Sequence, residues 1–237
     1  MHELQFLCLA VGRRDGGNCI AGIDLDSGKW IRPVNAKTHG ALGDCEIVVK
    51  DGGTQKLRML TPLDVLQLNI DKYTGSNIQP ENWTLVPSPD GETYTVLRRF
   101  DGRQDAGILD DFLNRNGPLL NSYGDSVRVA DVGALKLARS LALIRPEDLR
   151  WSVSPKSKYP DELQVRAYFL FDQDRYSLVV TDPIWESKCR QFGPGLHLHS
   201  TIAEDAKGKV LLTISLAEKP LNGFHYKLVA GVVNLTS

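Results

Sequence analysis

Reactive side chains are densest in the segment DPIWESKCRQFGPGLHLHS, which holds Asp182, Trp185, Lys188, Cys189, Arg190, His197 and His199. His197 and His199 are two residues apart, so on an extended strand their imidazoles point the same way and can share a metal, with Cys189 or His225 as a third ligand. The spacing fits no standard structural zinc pattern, and histidines satisfied by the core or by solvent are commoner. A Cys189 nucleophile assisted by a histidine and oriented by Asp182 is the other chemistry these types allow. The sequence has no G-x-x-x-x-G-K-[ST], no G-x-G-x-x-G after a strand and no G-x-S-x-G elbow. Asp24 with Asp26, and Asp110 with Asp111, are carboxylate pairs by proximity alone, with no reason for separated pKa values. These residues point to a noncatalytic protein without metal or cofactor. A metal-dependent hydrolase using His197, His199 and His225 is the enzyme alternative.

Binding chemistry has more support. Trp30 and Arg32, in KWIRPV, share a strand face, so a partner crossing that strand meets an aromatic plate beside a guanidinium fork. Barrels hold single-stranded nucleic acid in this way, at about 1–3 kcal/mol per stacked base. The structural reading of the same pair is a core tryptophan with an arginine matched to a nearby acid. The stretch from Arg128 to Lys158 is the most basic, with Arg128, Lys136, Arg139, Arg145, Arg150, Lys156 and Lys158 opposed only by Asp131, Glu147 and Asp148. It can line a phosphate-tracking groove near Trp151, or be solvated loop. Arg98, Arg99 and Arg103 form a smaller cluster with the same ambiguity.

Strands must carry these side chains. Residues 209–235 read as a β-hairpin around the turn Pro220, Leu221, Asn222 and Gly223. Alternation in its second arm puts His225 and Lys227 on one face and Phe224 and Tyr226 on the other, and both faces turn apolar after Lys227. Such a strand belongs to a packed sandwich or barrel with a site at one rim. Further strands are predicted over residues 4–11, 19–25, 29–34, 47–49, 57–59, 63–70, 82–87 and 94–97, with Pro33 marking the third as an edge strand or its end. A helix is predicted around Ile108, Leu109, Phe112 and Leu113, capped by Asp105, and a second near 133–138. Strands at 140–144, 150–153, 163–171 and 175–181 follow, and Asp182 with Pro183 opens a short helix. This divides the chain into a first β-barrel over 1–100, a helix-containing connector over 101–138, and a second β-barrel over 139–237.

With 237 residues, 42% of them hydrophobic, and a formal net charge of −1, the chain is long enough for two small domains and too neutral to coat nucleic acid by charge alone. Four scattered cysteines make no disulfide framework and read as buried reduced thiols. The N-terminal apolar stretch is too short for a signal peptide or a span, and no run approaches the ~20 apolar residues a bilayer needs. A cytoplasmic location, with no membrane contact, is the expectation.

Three blocks, CLAVGRRDGGNCIAGIDLDSGKWIRPV, YSLVVTDPIWE and LLTISLAEKPLNGFHYKLVAGVV, look like the bacterial and archaeal dual OB domain-containing family, and they are spread from end to end of the chain. The resemblance implies two successive oligonucleotide-binding-type barrels, a nucleic-acid-binding role in prokaryotic conflict or defence systems, and no established enzymatic activity. It carries over Trp30 and Arg32, Asp182 and Trp185, and His225, Tyr226 and Lys227. The combined expectation is a mainly β protein of two tandem small barrels. It would act as a noncatalytic module for single-stranded DNA or RNA, contacting it through those seven residues. The rival is a scaffold or sensor domain that meets a protein partner through an exposed strand edge.

Overall fold

The computed structural model describes residues 1–14, 16–87, 94–101, 105–135, 137–203 and 209–235. Arg103 and Lys136 lie outside the described residues. The first sheet comprises β1 (His2–Arg14), β2 (Gly17–Asp24), β3 (Trp30–Val34), β4 (Val48–Asp51), β5 (Leu57–Met59), β6 (Asp64–Tyr73), β7 (Asn82–Leu85) and β8 (Tyr94–Arg99). β1 is long enough to pair twice, its first half with β6 and its second with β2. Since β2 also pairs β3, β3 runs parallel to β7, and β7 pairs β6, the ring closes as β1-β2-β3-β7-β6. This is a five-stranded Greek-key barrel of the OB kind.

Of the two readings Pro33 allowed, an edge strand or the end of one, β3 is no edge but does end one residue later, at Val34. The ladder to β2 stops at Ile31, so beyond it that flank needs no donor. On the other flank, Arg32 donates its N–H to the Glu81 carbonyl at 2.9 Å, which holds β3 in the ring.

The segment that follows holds α1 (Ala106–Asp111), β9 (Leu113–Asn114), β10 (Ser126–Arg128) and α2 (Val132–Leu135). After it come β11 (Leu141–Ile144), β12 (Glu147–Pro155), β13 (Leu163–Phe171), β14 (Asp174–Val180), α3 (Pro183–Arg190), β15 (Gly195–Leu198), α4 (His199–Ile202), β16 (Lys209–Leu216) and β17 (Phe224–Leu235). β11 pairs β16 and β12 pairs β13, with only Arg145 and Pro146 between β11 and β12. Taken as one strand broken at a proline, they close a second ring: β13 pairs β14, β14 runs parallel to β17, and β17 pairs β16. The order of the first ring is thus repeated in a sequence without a visible repeat. Asp172 (φ 49) and Gln173 (φ 70) turn β13 into β14 with two left-handed residues, the form that matches strand twist.

α1 ends one turn sooner than its apolar spacing suggests, and Asp105 does not cap it by side chain. That carboxylate instead accepts from Arg98 and from the Asp101 N–H. Nor is the segment a bare connector. β9 lies parallel to β11, and β10 pairs with the start of β17.

Three apolar clusters form among the described residues. Phe6, Cys8, Ile20, Leu66 and Leu68 fill the first barrel, and Trp151, Val165, Phe169, Leu178 and Val229 fill the second. The third cluster lies between them: Leu7, Leu9, Ile23 and Trp30 from one side meet Leu141, Leu143, Leu211, Val233 and Leu235 from the other. The outer face of β1, β2 and β3 is therefore docked on the outer face of β11, β16 and β17. Hydrogen bonds cross this seam, from Thr213 Oγ1 to the Leu9 carbonyl at 2.7 Å and from the Arg13 N–H to the Thr181 carbonyl at 3.0 Å.

Gly231 lets the two backbones touch, because a Cβ there would sit 2.4 Å from the Leu9 carbonyl oxygen and 2.7 Å from the Ala10 Cα. Gly231→Ala should force the seam apart and cost about 1–3 kcal/mol, the usual penalty of overpacking. Urea unfolding measures it, with Gly133→Ala as the control, since a Cβ at that helical position meets nothing within 4 Å.

Candidate functional site

The seven residues singled out in the sequence do not converge. Trp30 is sealed in the seam, 9% exposed. Arg32 beside it is 4% exposed, and its Nη2 donates to Ser140 Oγ at 3.0 Å and Ser215 Oγ at 3.2 Å. Ser140 in turn gives its N–H and hydroxyl to the Glu81 carboxylate. Asp182 caps α3, accepting from the Ile184 and Trp185 N–H groups at 3.0 and 3.1 Å, while its other oxygen accepts from the Val232 N–H at 3.0 Å. Burial pushes this carboxyl up to about 6 in spite of those donors.

Trp185 is buried and stacks on Trp151, with ring centroids 5.1 Å apart. His225 is buried and hydrogen-bonds the Ala217 carbonyl through Nδ1 at 2.9 Å. Tyr226 is half-buried, tilted against Phe224. Lys227 is 1% exposed, its Nζ donating to the carbonyls of Ser122 at 2.5 Å and Gly124 at 2.7 Å, and lying 5.3 Å over the Tyr176 ring. Burial pulls its pKa down to about 8. The rim expected at His225 and Lys227 is covered by the segment around Ser122 to Arg128.

The metal alternative does not fit the geometry of the described residues. His197 lies in β15 and hydrogen-bonds the Gly193 carbonyl, whereas His199 opens α4, so the two imidazoles do not share one strand face. His199 instead accepts from Trp151 Nε1 at 3.2 Å and stacks on Trp185. Among the described residues, no three His, Cys, Asp or Glu side chains are grouped to hold a metal ion. Cys189 is fully buried and its thiol pushed up to about 12, first by desolvation and then by Asp182, the opposite of an activated nucleophile. Cys8 is buried as expected, Cys19 half-buried and Cys45 exposed, and none of the four cysteines is in a disulfide.

The basic stretch does not form one groove. Arg128 pairs with Asp131, Arg145 with Asp110 and Lys156 with Glu162, and Trp151 is 0% exposed. Arg98 and Arg99 pair with Asp105 and Asp64.

Arg150 is paired too, with Asp148, but this pair lines an open cleft. A cleft of about 550 Å³ is lined by Asp148, Arg150, Ser152, Tyr168, Arg175 and Leu196, among others. Strand register assembles it. Arg150 on β12 lies opposite Tyr168 on β13 and Leu198 on β15, Ser152 lies opposite Arg166 and Leu196, and Leu170 lies opposite Arg175 on β14. Tyr168 is 41% exposed. Arg166 donates from Nε to Ser177 Oγ at 2.9 Å and lies 3.6 Å from Asp125. Arg175 is exposed and makes no ion pair among the described residues. Tyr168, Arg166 and Arg175 were not singled out in the sequence, yet the signal was present: in LQVRAYFLF, alternation puts Arg166 and Tyr168 opposite Val165, Ala167 and Phe169. Two smaller cavities, of about 260 and 180 Å³, lie along the seam.

A family model described as a dual OB-containing domain matches residues 4–232. No curated protein matches the chain.

The Trp151, Trp185 and His199 stack makes stability depend on acid. Burial, and then Lys188, lowers the His199 pKa below the usual 6.5, so its contribution is present above pH 6.5 and is lost as the pH falls through the lowered folded value. Asp182 acts in the opposite sense: its folded pKa is raised to about 6, so its contribution is full below the usual 3.8 and is lost as the pH rises through about 6. His199→Gln keeps an acceptor for the indole and removes the titration. The urea midpoint of the unsubstituted protein should therefore fall further between pH 7 and pH 5 than that of the variant.

Proposed function

Because the chain belongs to the dual OB-containing domain family, we propose that it binds single-stranded nucleic acid across β12, β13 and β14 of its second barrel. OB barrels take oligonucleotides on the face of their second and third strands, which here are β13 and β14. The observation that carries the reading is Tyr168, an exposed ring in a cleft, flanked by Arg150 across the ladder and by Arg166 and Arg175 on neighbouring positions. An aromatic plate stacks a base, and the guanidinium groups follow the phosphates on either side.

The first barrel does not offer the same surface. Ala21 and Ile23 of β2 and Trp30 of β3 are buried against the second barrel. One strand-binding face per chain is the consequence.

Single strands are favoured over duplex because a ring in a cleft reaches a base only when that base is free of its own stack. The net charge of −1 fits a confined contact better than a coating of long polymers.

Tyr168→Ala should weaken binding to a mixed-sequence oligonucleotide by about 1–3 kcal/mol. In fluorescence anisotropy titrations the loss should appear without a change in the salt slope, because no phosphate contact is removed. Arg175→Ala should weaken binding about equally for all sequences and reduce the slope of log K against log salt by about 1. Full-strength binding by Tyr168→Ala, or no binding by the unsubstituted protein at 50 mM salt, would sink the reading.

A further inference from the structure

β12 carries an irregularity inside the cleft. Glu147 pairs with Leu170 and Arg150 with Tyr168, so three steps along β12 match two along β13. The extra residue is accommodated at Asp148, whose φ of 50 is left-handed, a conformation that residues other than glycine seldom adopt. Bulges of this kind re-aim a side chain, and an outlying backbone at a ligand face calls for a functional reason.

The bulge places the Asp148 carboxylate against Arg150, whose Nη2 donates to both of its oxygens at 3.1 Å. One nitrogen serving two oxygens leaves each oxygen free to accept again. The Nε of Arg150 is shut off from solvent and has no hydrogen-bond partner among the described residues. With that nitrogen out of reach, the pair shows the cleft two adjacent acceptors, the Asp148 oxygens, next to the Tyr168 ring.

That pattern has one complement among the bases. The Watson–Crick edge of guanine offers an acceptor at O6 followed by donors at N1 and N2. Cytosine offers a donor and two acceptors, adenine a donor and an acceptor, and uracil or thymine an acceptor, a donor and an acceptor. Unpaired bases are read on this edge while stacked on an aromatic ring.

We propose that Asp148 and Arg150 make the cleft selective for guanine in a single strand, a specificity that rests on the nucleic-acid reading above. The base stacks on Tyr168, and its N1–H and N2–H donate to the Asp148 carboxylate, which Arg150 Nη2 holds in place. A backbone contact alone gives Asp148 no role, because a carboxylate on a phosphate-tracking face repels what that face must hold.

The test compares oligothymidylate with the same oligomer carrying one central guanine, or one central hypoxanthine, which lacks the 2-amino group. Each is titrated against the unsubstituted protein and against Asp148→Asn. Asparagine tolerates the left-handed backbone, so the bulge is retained, but it replaces one acceptor with a donor. Guanine should tighten binding by about 5- to 150-fold over thymine, the range of one good bidentate base contact. Hypoxanthine should recover only part of that gain. Asp148→Asn should abolish the guanine advantage, while oligothymidylate, relieved of a repelling carboxylate, should bind at least as tightly as to the unsubstituted protein.

Equal binding of the guanine and thymine oligomers overturns the specificity while leaving strand binding in place. A guanine advantage that survives in Asp148→Asn overturns the role of this residue. Failure of every oligomer to bind removes both readings together.

Discussion

Burial of Leu7, Leu9, Ile23 and Trp30 against Leu141, Leu143, Leu211 and Leu235 is the contact on which the rest of the molecule depends. Each barrel has its own filled interior, so an apolar stripe on the outside has no internal partner and must be covered by something else. The other barrel covers it. Each large side chain taken out of water contributes about 1.5–3 kcal/mol, so even a few of them outweigh any single polar contact at the seam. Arg32, held by Ser140 and Ser215 with Glu81 behind Ser140, fixes the relative position of the barrels rather than supplying the drive.

This arrangement divides the work between two units with the same strand order. On the first barrel the β1, β2 and β3 face is consumed by the docking. On the second, the docking uses β11, β16 and β17, and so leaves β12, β13 and β14 in the open, where cations and an exposed ring gather. Duplicated topology therefore does not mean duplicated surface. The shared contact covers this face in one copy and leaves it open in the other.

Much of the architecture was legible in the sequence, because strands and hairpins are local. The hairpin ending in β17, the turn at Asp172 and Gln173, and the Asp182 cap of α3 all stand where turn chemistry and alternation put them. The site was harder to read. Alternation says that Trp30 and Arg32 share a side, but not whether that side meets water or a second barrel, which depends on residues more than a hundred positions away. The same limit hid Lys227, whose cover is supplied by Ser122 and Gly124. By contrast Arg166 and Tyr168 alternate with Val165, Ala167 and Phe169, and could have been recognised as an outward pair. The bulge at Asp148 leaves no mark in composition, since it arises from a mismatch between two strands and not from either alone.

The strap from Ser122 to Arg128 works as a stopper on the second barrel. It supplies the two carbonyls that quench the Lys227 ammonium, it lends the Asp125 carboxylate to the Ser177 N–H, and it adds β10 to the start of β17. An excised fragment starting at residue 139 would carry an ammonium group inward with its solvating oxygens cut away. The smallest self-sufficient piece of the C-terminal half thus begins well upstream of its first long strand, and any dissection of the protein has to respect that overlap.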